Sequence, residues 1–310
     1  RRVRFLSQTE SETTDMKQHA KKGQRALENI IHGVFLLLGV VAVGFVLLIT
    51  VYLVISGIPA IKKIGLANFL FGTEWMPTSK TDPKYGILPF ILTSIYGTAG
   101  AILLGVPVGF LTAVFLSKVA PRRVRDAVGS AVSLLAGIPS VVYGLVGMLV
   151  LVPGVRRVFG LADGASLLAA IIVLGVMILP SIIKMSVTAL EAVPKEYEDA
   201  SLALGATPVE TYFRVSVPAA KSGIAAAVVL GVGRAIGEAM AVMMVSGNAC
   251  NMPSLFESVR FLTTAVASEM SYAGGLQRQA LFSIALVLYL FILLINATLN
   301  FFLKKGGSKQ

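Results

Sequence analysis

Six long apolar blocks constrain this chain more than any other feature. They are Ile30–Ser56, Leu88–Leu116, Ala127–Val152, Ser166–Leu190, Gly223–Ser246 and Gln279–Leu303. Each reaches or exceeds the roughly 20 apolar residues that a helix needs to cross a bilayer core. Lipid offers no partners for backbone N–H and C=O groups, so a segment of this kind must close its hydrogen bonds internally, as a helix. The blocks therefore predict an all-α integral membrane protein with six transmembrane helices. The mean hydropathy of +0.81, with 14% of residues charged, is foreign to a soluble domain of 310 residues. The net charge of +11 does not indicate nucleic acid, because the basic residues fall between apolar blocks and build no continuous basic face.

The basic residues report orientation instead. Eighteen Lys and Arg fall in the N-terminal tail (1–29), the 118–125 loop, the 184–221 region and the C-terminal tail (304–310). Eight fall in the alternate loops, and Arg234 lies inside a block. The positive-inside rule puts both termini in the cytoplasm. The segment after the charged N-terminal tail is too long for a signal-peptide core and no A-x-A site follows it, so it reads as a retained first span. Residues 57–87 then form an extracytoplasmic loop rich in turn formers and holding Trp75, the single tryptophan. From sequence this loop is equally a docking surface, a small lid or a connector. The outer stretch 247–278 is expected to be partly helical.

The fifth block contains "GRAIGEAMAV", Gly233 to Val242. Arg234 and Glu238 stand four apart, which on an unbroken helix puts them on one face and within pairing reach. Gly233 and Gly237 have the small-xxx-small spacing of a close helix contact. An arginine in mid-bilayer costs about 2.5–3.5 kcal/mol on insertion scales, so it is tolerated where it is paired or faces water. One reading makes the pair a pin for helix register. The other makes Arg234 a donor fork for a travelling oxyanion, with Glu238 limiting how tightly the anion is held. Pro107 is expected to kink the second span, and Pro139 and Pro180 to interrupt the third and fourth, either as ordinary kinks or by freeing backbone groups that line a cavity. There Ser140, Tyr143 and Ser181 offer neutral donors. His19 and His32 have no companions for a metal site, and the lone Cys250 is expected to be inert.

The longest inner loop, residues 191–221, reads as helix, turn, helix. Pro194 suits a first turn. Tyr197, Ala200, Ser201 and Leu204 recur on one helical face, and Gly205 is placed for a left-handed stop. Thr207, Pro208 and Glu210 form the pattern of a capping box, and Pro218 is expected to end the second helix. By physics alone this is either an amphipathic hairpin on the membrane surface or a plug for a groove in a partner.

The loop resembles a motif of permease subunits of ATP-binding-cassette importers, written E-A-A, three residues, G, nine residues, I-x-L-P. Here it runs Asp199-Ala200-Ser201, Gly205, then Val215-Ser216-Val217-Pro218. All spacings match; Asp199 and Ser201 depart from the motif, and Glu198 is an alternative acid one position away. The resemblance implies that Asp199, Ala200, Ser201, Gly205, Thr207, Val215 and Pro218 couple to an ATPase. The chain has no G-x-x-x-x-G-K-[ST] phosphate loop, so ATP would be hydrolysed by a partner, with no cofactor bound here. "AGIPSVVYGLVG" (residues 136–147), "GRAIGEAMAV" and "EWMPTSKTDPKYGILPFI" are similar to phosphate-importer permeases, and the last favours the PstC type. This similarity covers Gly72 to Leu303. It implies the type I importer permease fold and a complex with a PstA-type second permease subunit, two ATPase subunits and an extracytoplasmic phosphate-binding protein. Sulfate, molybdate, phosphite or phosphonate are alternative cargoes. An intramembrane enzyme lacks its requirements here, since no His or Cys cluster, paired mid-span carboxylates or nucleophile beside a base occurs. A plain membrane scaffold leaves Arg234 and Glu238 without a reason.

Overall fold

A computed structural model describes residues 2–307, with the side chains of residue 28, residues 30–298 and residue 301. In chain order the elements are α1 (Arg2–Ile64), α2 (Leu66–Phe71), β1 (Trp75–Met76), β2 (Lys84–Tyr85), α3 (Leu88–Val114), α4 (Arg122–Gly137), α5 (Ser140–Val146), α6 (Val152–Phe159), α7 (Leu167–Glu191), α8 (Lys195–Ala203), α9 (Pro208–Thr211), α10 (Val217–Ala219), α11 (Lys221–Gly237), α12 (Met240–Val245), α13 (Leu262–Glu269) and α14 (Gly275–Gly307). Wider π-helical turns extend α3 (Phe115–Val119), join α5 to α6 (Gly147–Leu151) and join α9 to α10 (Tyr212–Ser216). The chain divides into two units after Ile55. The basic tails expected at 1–29 and 304–310 lie almost wholly outside the described side chains, as does His19.

In the first unit the large side chains from Val34 to Tyr52 are apolar and exposed on every side, Leu36 at 71% and Phe35 at 68%. A helix that is apolar all round belongs in hydrocarbon or against a partner. α1 does not stop at Ser56 as expected: it continues through Pro59 to Ile64.

The second unit is organised around α7. Leu174, Met177, Ile178, Ile182 and Leu190 on this helix are fully buried. The hydroxyl of Ser166 caps its start by accepting from the Ala169 N–H at 3.3 Å. α3 packs along α7 through a seam of small residues at every fourth position, Gly97, Ala101, Gly105 and Gly109, with Gly97 pressed mainly against the Phe261 ring and touching α7 at Leu167. A Cβ added at Gly105 would stand 2.7 Å from Ile178 Cδ1 and 3.0 Å from the Gly175 carbonyl. At Gly109 it would stand 2.9 Å from Ile182 Cγ2. The close contact expected at Gly233 and Gly237 is not made among the described residues, where an added Cβ at either would meet open space. The spacing at 233 and 237 is right, but among the described residues nothing lies within 4 Å of a Cβ added at either, whereas Gly231 faces Ile182.

Two further expectations change. The third block is not one span. α4 is a separate amphipathic helix that packs through Val128 and Val132 against Leu116 and Ile183. Ile138 and Pro139 are extended, with ψ of 128° and 143°, because a residue before proline is pushed out of the helical region. The apolar segment that follows is Ser140–Phe159. By contrast Pro107 and Pro180 are absorbed inside α3 and α7, which continue past them. Among the described residues five helices are long and apolar enough to cross a bilayer. Pro208–Ala219 and Lys221–Ile236, bent by 72° at Ala220, form the sixth if they cross as one.

At the N-terminal end of α3, a second core joins Ala60 of α1, Phe69 of α2, Trp75 and Tyr85 of the β1–β2 hairpin, Phe90, Leu262 and the start of α14 at Ala280, Leu281 and Ile284. Residues 57–87 are therefore an ordered platform and not a plain connector.

Replacing Gly105 by Val should cost about 1–3 kcal/mol through overpacking. Gly129→Val, at a site where an added Cβ meets nothing, should leave the thermal midpoint of the purified protein unchanged or raised. Equal midpoints for the two variants would remove the α3–α7 seam as a determinant of the fold.

Candidate functional site

The expected ion pair between Arg234 and Glu238 is absent because the helix carrying it breaks between them. α11 ends at Gly237, and Glu238 is extended, with φ −75° and ψ 128°. The Glu238 side chain turns forward to accept the Ala241 N–H at 2.9 Å, one of the free donors at the start of α12. Its backbone carbonyl accepts the Thr263 hydroxyl of α13 at 2.8 Å. The carboxylate is thus spent on the break.

Arg234 is half-buried and donates through Nη1 to Ser181 Oγ on α7 at 3.2 Å. Ser181 is its one hydrogen-bond partner, and no carboxylate pairs with it, among the described residues. Tyr143 of α5 lies within electrostatic reach of Arg234. Its hydroxyl donates to the Leu135 carbonyl at 2.7 Å, tying off the end of α4 across the Pro139 break. It is thus a committed donor and not the free one expected. Ser140 is half-buried one turn earlier on α5, on the same side as Tyr143. Thus α7 holds the α11 guanidinium through Ser181, α5 brings Tyr143 within electrostatic reach of it, and most of its donors take no partner among the described residues.

A second constellation lies at the opposite end of α3 and α7, in residues 195–220. α8 and α9 form the expected hairpin. Gly205 is left-handed at φ +88°, and Thr207 and Glu210 complete the capping box, with Thr207 N–H donating to Glu210 at 3.0 Å and Glu210 N–H to Thr207 at 3.3 Å. Pro194 precedes the first turn of α8, and Pro218 does not end the second arm, which continues to Ala219 before the bend. The predicted face is also rotated. Tyr197, Leu202, Leu204 and Val209 point outward, Leu204 at 90% exposure, while Glu198 and Ser201 turn inward. Ser201 bonds the Thr211 hydroxyl at 2.9 Å, bracing one arm against the other. Asp199, Ala200 and Pro218 are exposed, and Val215 is half-buried.

Residues 105–305 match the family described as binding-protein-dependent transport system inner membrane components. The chain belongs to this family. It is 42% identical over 257 residues to a probable ABC transporter permease protein, YqgH, of Bacillus subtilis, covering 80% of this chain and 83% of that one. It is 36% identical to the phosphate transport system permease protein PstC of Haemophilus influenzae, covering 79% and 84%. Among solved structures it resembles the inward-facing MetNI methionine ABC transporter, with a TM-score of 0.58 at 20% identity over 71% of this chain and 95% of that one. It also resembles a bacterial ABC transporter that imports the acidic polysaccharide alginate, with a TM-score of 0.56 at 15% identity over 70% and 79%. The fold is that of a type I importer permease, and this permease subunit is a multi-pass membrane component that builds a path for cargo.

Two clusters in the permease have no counterpart in the motif-based reading. Lys118, at the end of α3, forms a largely buried ion pair with Glu198 and donates to the Leu190 carbonyl at 3.1 Å. Ser216 donates to the same Glu198 oxygen at 2.8 Å. At the other end, buried Glu269 pairs with Arg260 and accepts Trp75 Nε1 at 3.2 Å and Gln277 Nε2 at 2.9 Å. Arg260 also sits over the Phe90 ring, 5.8 Å from its centre. Glu269 did carry a sequence signal, an acid set among apolar and small neighbours, whereas Glu198, flanked by Lys195, Glu196 and Asp199, carried none, and only the fold names either partner. Burial pushes the nearby Cys250 thiol up from its ordinary pKa, which disfavours the reactive thiolate.

Burial would raise the Glu198 pKa, but hydrogen bonds from Lys118 and Ser216 and the charges of Lys118 and Lys195 outweigh it and hold the carboxyl below its ordinary value. A depressed carboxyl contributes stability above its unfolded pKa of about 4.3, and that contribution is lost as pH falls through the lower folded value. Glu198→Gln should therefore melt below the unaltered protein at pH 7, and the gap should close as the pH is taken below the carboxylate range. A gap that persists unchanged at low pH would mean that the charge of Glu198 is not what holds the hairpin.

Proposed function

We infer that this chain is the PstC-type permease subunit of an ATP-driven importer of inorganic phosphate in the cytoplasmic membrane of a prokaryote. The observation that carries this reading is Arg234, a half-buried guanidinium in the broken fifth span whose single hydrogen-bond partner among the described residues is the neutral hydroxyl of Ser181. Had Glu238 neutralised it, an entering anion would have had to displace a carboxylate. With Glu238 committed to the Ala241 N–H, the remaining guanidinium donors are available to the oxygens of a mono- or dianion, in a planar arrangement that matches them. Ser181 directs the fork, and Ser140 and Tyr143 supply further polar surface. The similarity to PstC proteins supports phosphate over other oxyanions.

The 191–221 hairpin faces the cytoplasm in this reading, and its exposed Tyr197, Leu204 and Val209 suit a groove in an ATPase subunit. Asp199, Ala200, Gly205 and Thr207 lie on that docking element. Two such ATPase subunits hydrolyse ATP, and this chain holds no catalytic site or cofactor. A PstA-type second permease subunit completes the path, and the open face at Gly233 and Gly237 is suited to its close approach. A phosphate-binding protein delivers cargo to the platform around Trp75. The apolar belt lies in lipid.

Arg234→Ala should cut phosphate uptake by about tenfold or more, the scale of a charged hydrogen bond, while the complex assembles in normal amounts. Uptake near that of the unaltered protein would refute the pathway role, and loss of assembly would make Arg234 a brace between helices. Competition by sulfate, molybdate, phosphite or phosphonate at concentrations equal to phosphate would reassign the cargo.

A further inference from the structure

The junction at Glu198 joins four segments that are remote in sequence. Lys118 comes from the π-helical end of α3 and Leu190 from the end of α7. Glu198 lies on the first arm of the hairpin, and Ser216 on the π-helical turn of the second. The Lys118 and Glu198 side chains are only 10% and 18% exposed, so solvent and salt screen their pairing little. Beside it, Asp199 is exposed and makes no ion pair among the described residues. Two adjacent acids therefore face opposite ways, one into the permease and one out of it. Wider helical turns of this type are rare and concentrate at functional sites, and two of them supply partners to this one carboxylate.

We propose that Glu198 is the positioning residue that locks the hairpin to the ends of α3 and α7, so that a push on the hairpin moves both helices as one body. This rests on the importer reading, in which the hairpin receives the ATPase. α3 and α7 are already joined along the Gly97–Gly109 seam, and α7 packs against α11, which carries Arg234 to Ser181. A displacement entering at Glu198 thus reaches the guanidinium through contiguous packed elements with no exposed loop between. Asp199 serves a separate purpose, contact with the ATPase, and its loss weakens docking instead of transmission.

The test uses the whole complex of this permease, its second permease subunit, ATPase and binding protein in proteoliposomes, measuring ATP hydrolysed and radiolabelled phosphate taken up. Glu198→Gln should retain the ATPase and its hydrolysis, while phosphate moved per ATP falls about fivefold or more, the lower range of allosteric coupling. Lys118→Gln should do the same, and the double variant should be no worse than either single one, because all act through one junction. Ser216→Ala, a milder change that leaves the ion pair, should give a smaller loss in the same ratio. Asp199→Asn should instead lower the amount of ATPase retained. Unaltered phosphate-per-ATP in Glu198→Gln overturns the proposal. So does loss of the ATPase in that variant, which would make Glu198 a docking contact, or failure to assemble combined with normal coupling in Ser216→Ala, which would make it a folding pin. Absence of ATP-dependent uptake in the unaltered complex would overturn the importer reading itself.

Discussion

The structure depends on closing every backbone hydrogen bond without water. Continuous helices do this by themselves. The informative places are those where a helix stops inside an apolar stretch, and at two of them a named side chain closes the break. At the break after α11, Glu238 takes the Ala241 N–H and Thr263 takes the Glu238 carbonyl. At the break before α5, the Tyr143 hydroxyl takes the Leu135 carbonyl. Both polar groups would be costly alone in hydrocarbon, and so would the backbone groups they satisfy. Joined, they make an interrupted span tolerable and leave Arg234 beside it without a competing carboxylate.

Around these breaks the permease is rigid where small residues let helices approach. Gly97, Ala101, Gly105 and Gly109 bring α3 onto α7, and the resulting pair carries the platform at one end and the hairpin at the other. Each end is fastened by one buried carboxylate with a basic partner, Glu269 with Arg260 and Glu198 with Lys118. Buried pairs of this kind contribute little net stability, but removing one partner is costly. Their value lies in fixing which segments meet. The same α3–α7 unit therefore presents an ordered surface at both ends.

Much of this was legible in the residue pattern. α7 runs within a residue of the expected fourth block because Ser166 caps it and its apolar run is unbroken. The Thr207–Glu210 capping box and the left-handed Gly205 follow from local chemistry. The third block parts from the expected single span because its apolar content continues across Ile138 and Pro139, where the helix does not. Proline breaks the helix at 139, while α3 and α7 continue as helices past 107 and 180. Its effect depends on whether neighbours satisfy the freed groups. Gly233 and Gly237 have the spacing of a packing seam but make no such contact among the described residues, while the seam that forms, at 97 to 109, has the same spacing and was not singled out.

Sequence by itself determined the membrane class, most of the helices, the hairpin's turn chemistry and the presence of a guanidinium in a span. These follow from hydrocarbon's intolerance of unpaired polar groups and from interactions within four residues along the chain. Tertiary structure alone decided that Arg234 bonds Ser181, that Glu238 caps a helix start, and that Glu198 turns inward while Asp199 turns out. Each of those choices depends on which remote segment comes within about 3 Å of a side chain. No periodicity encodes that distance.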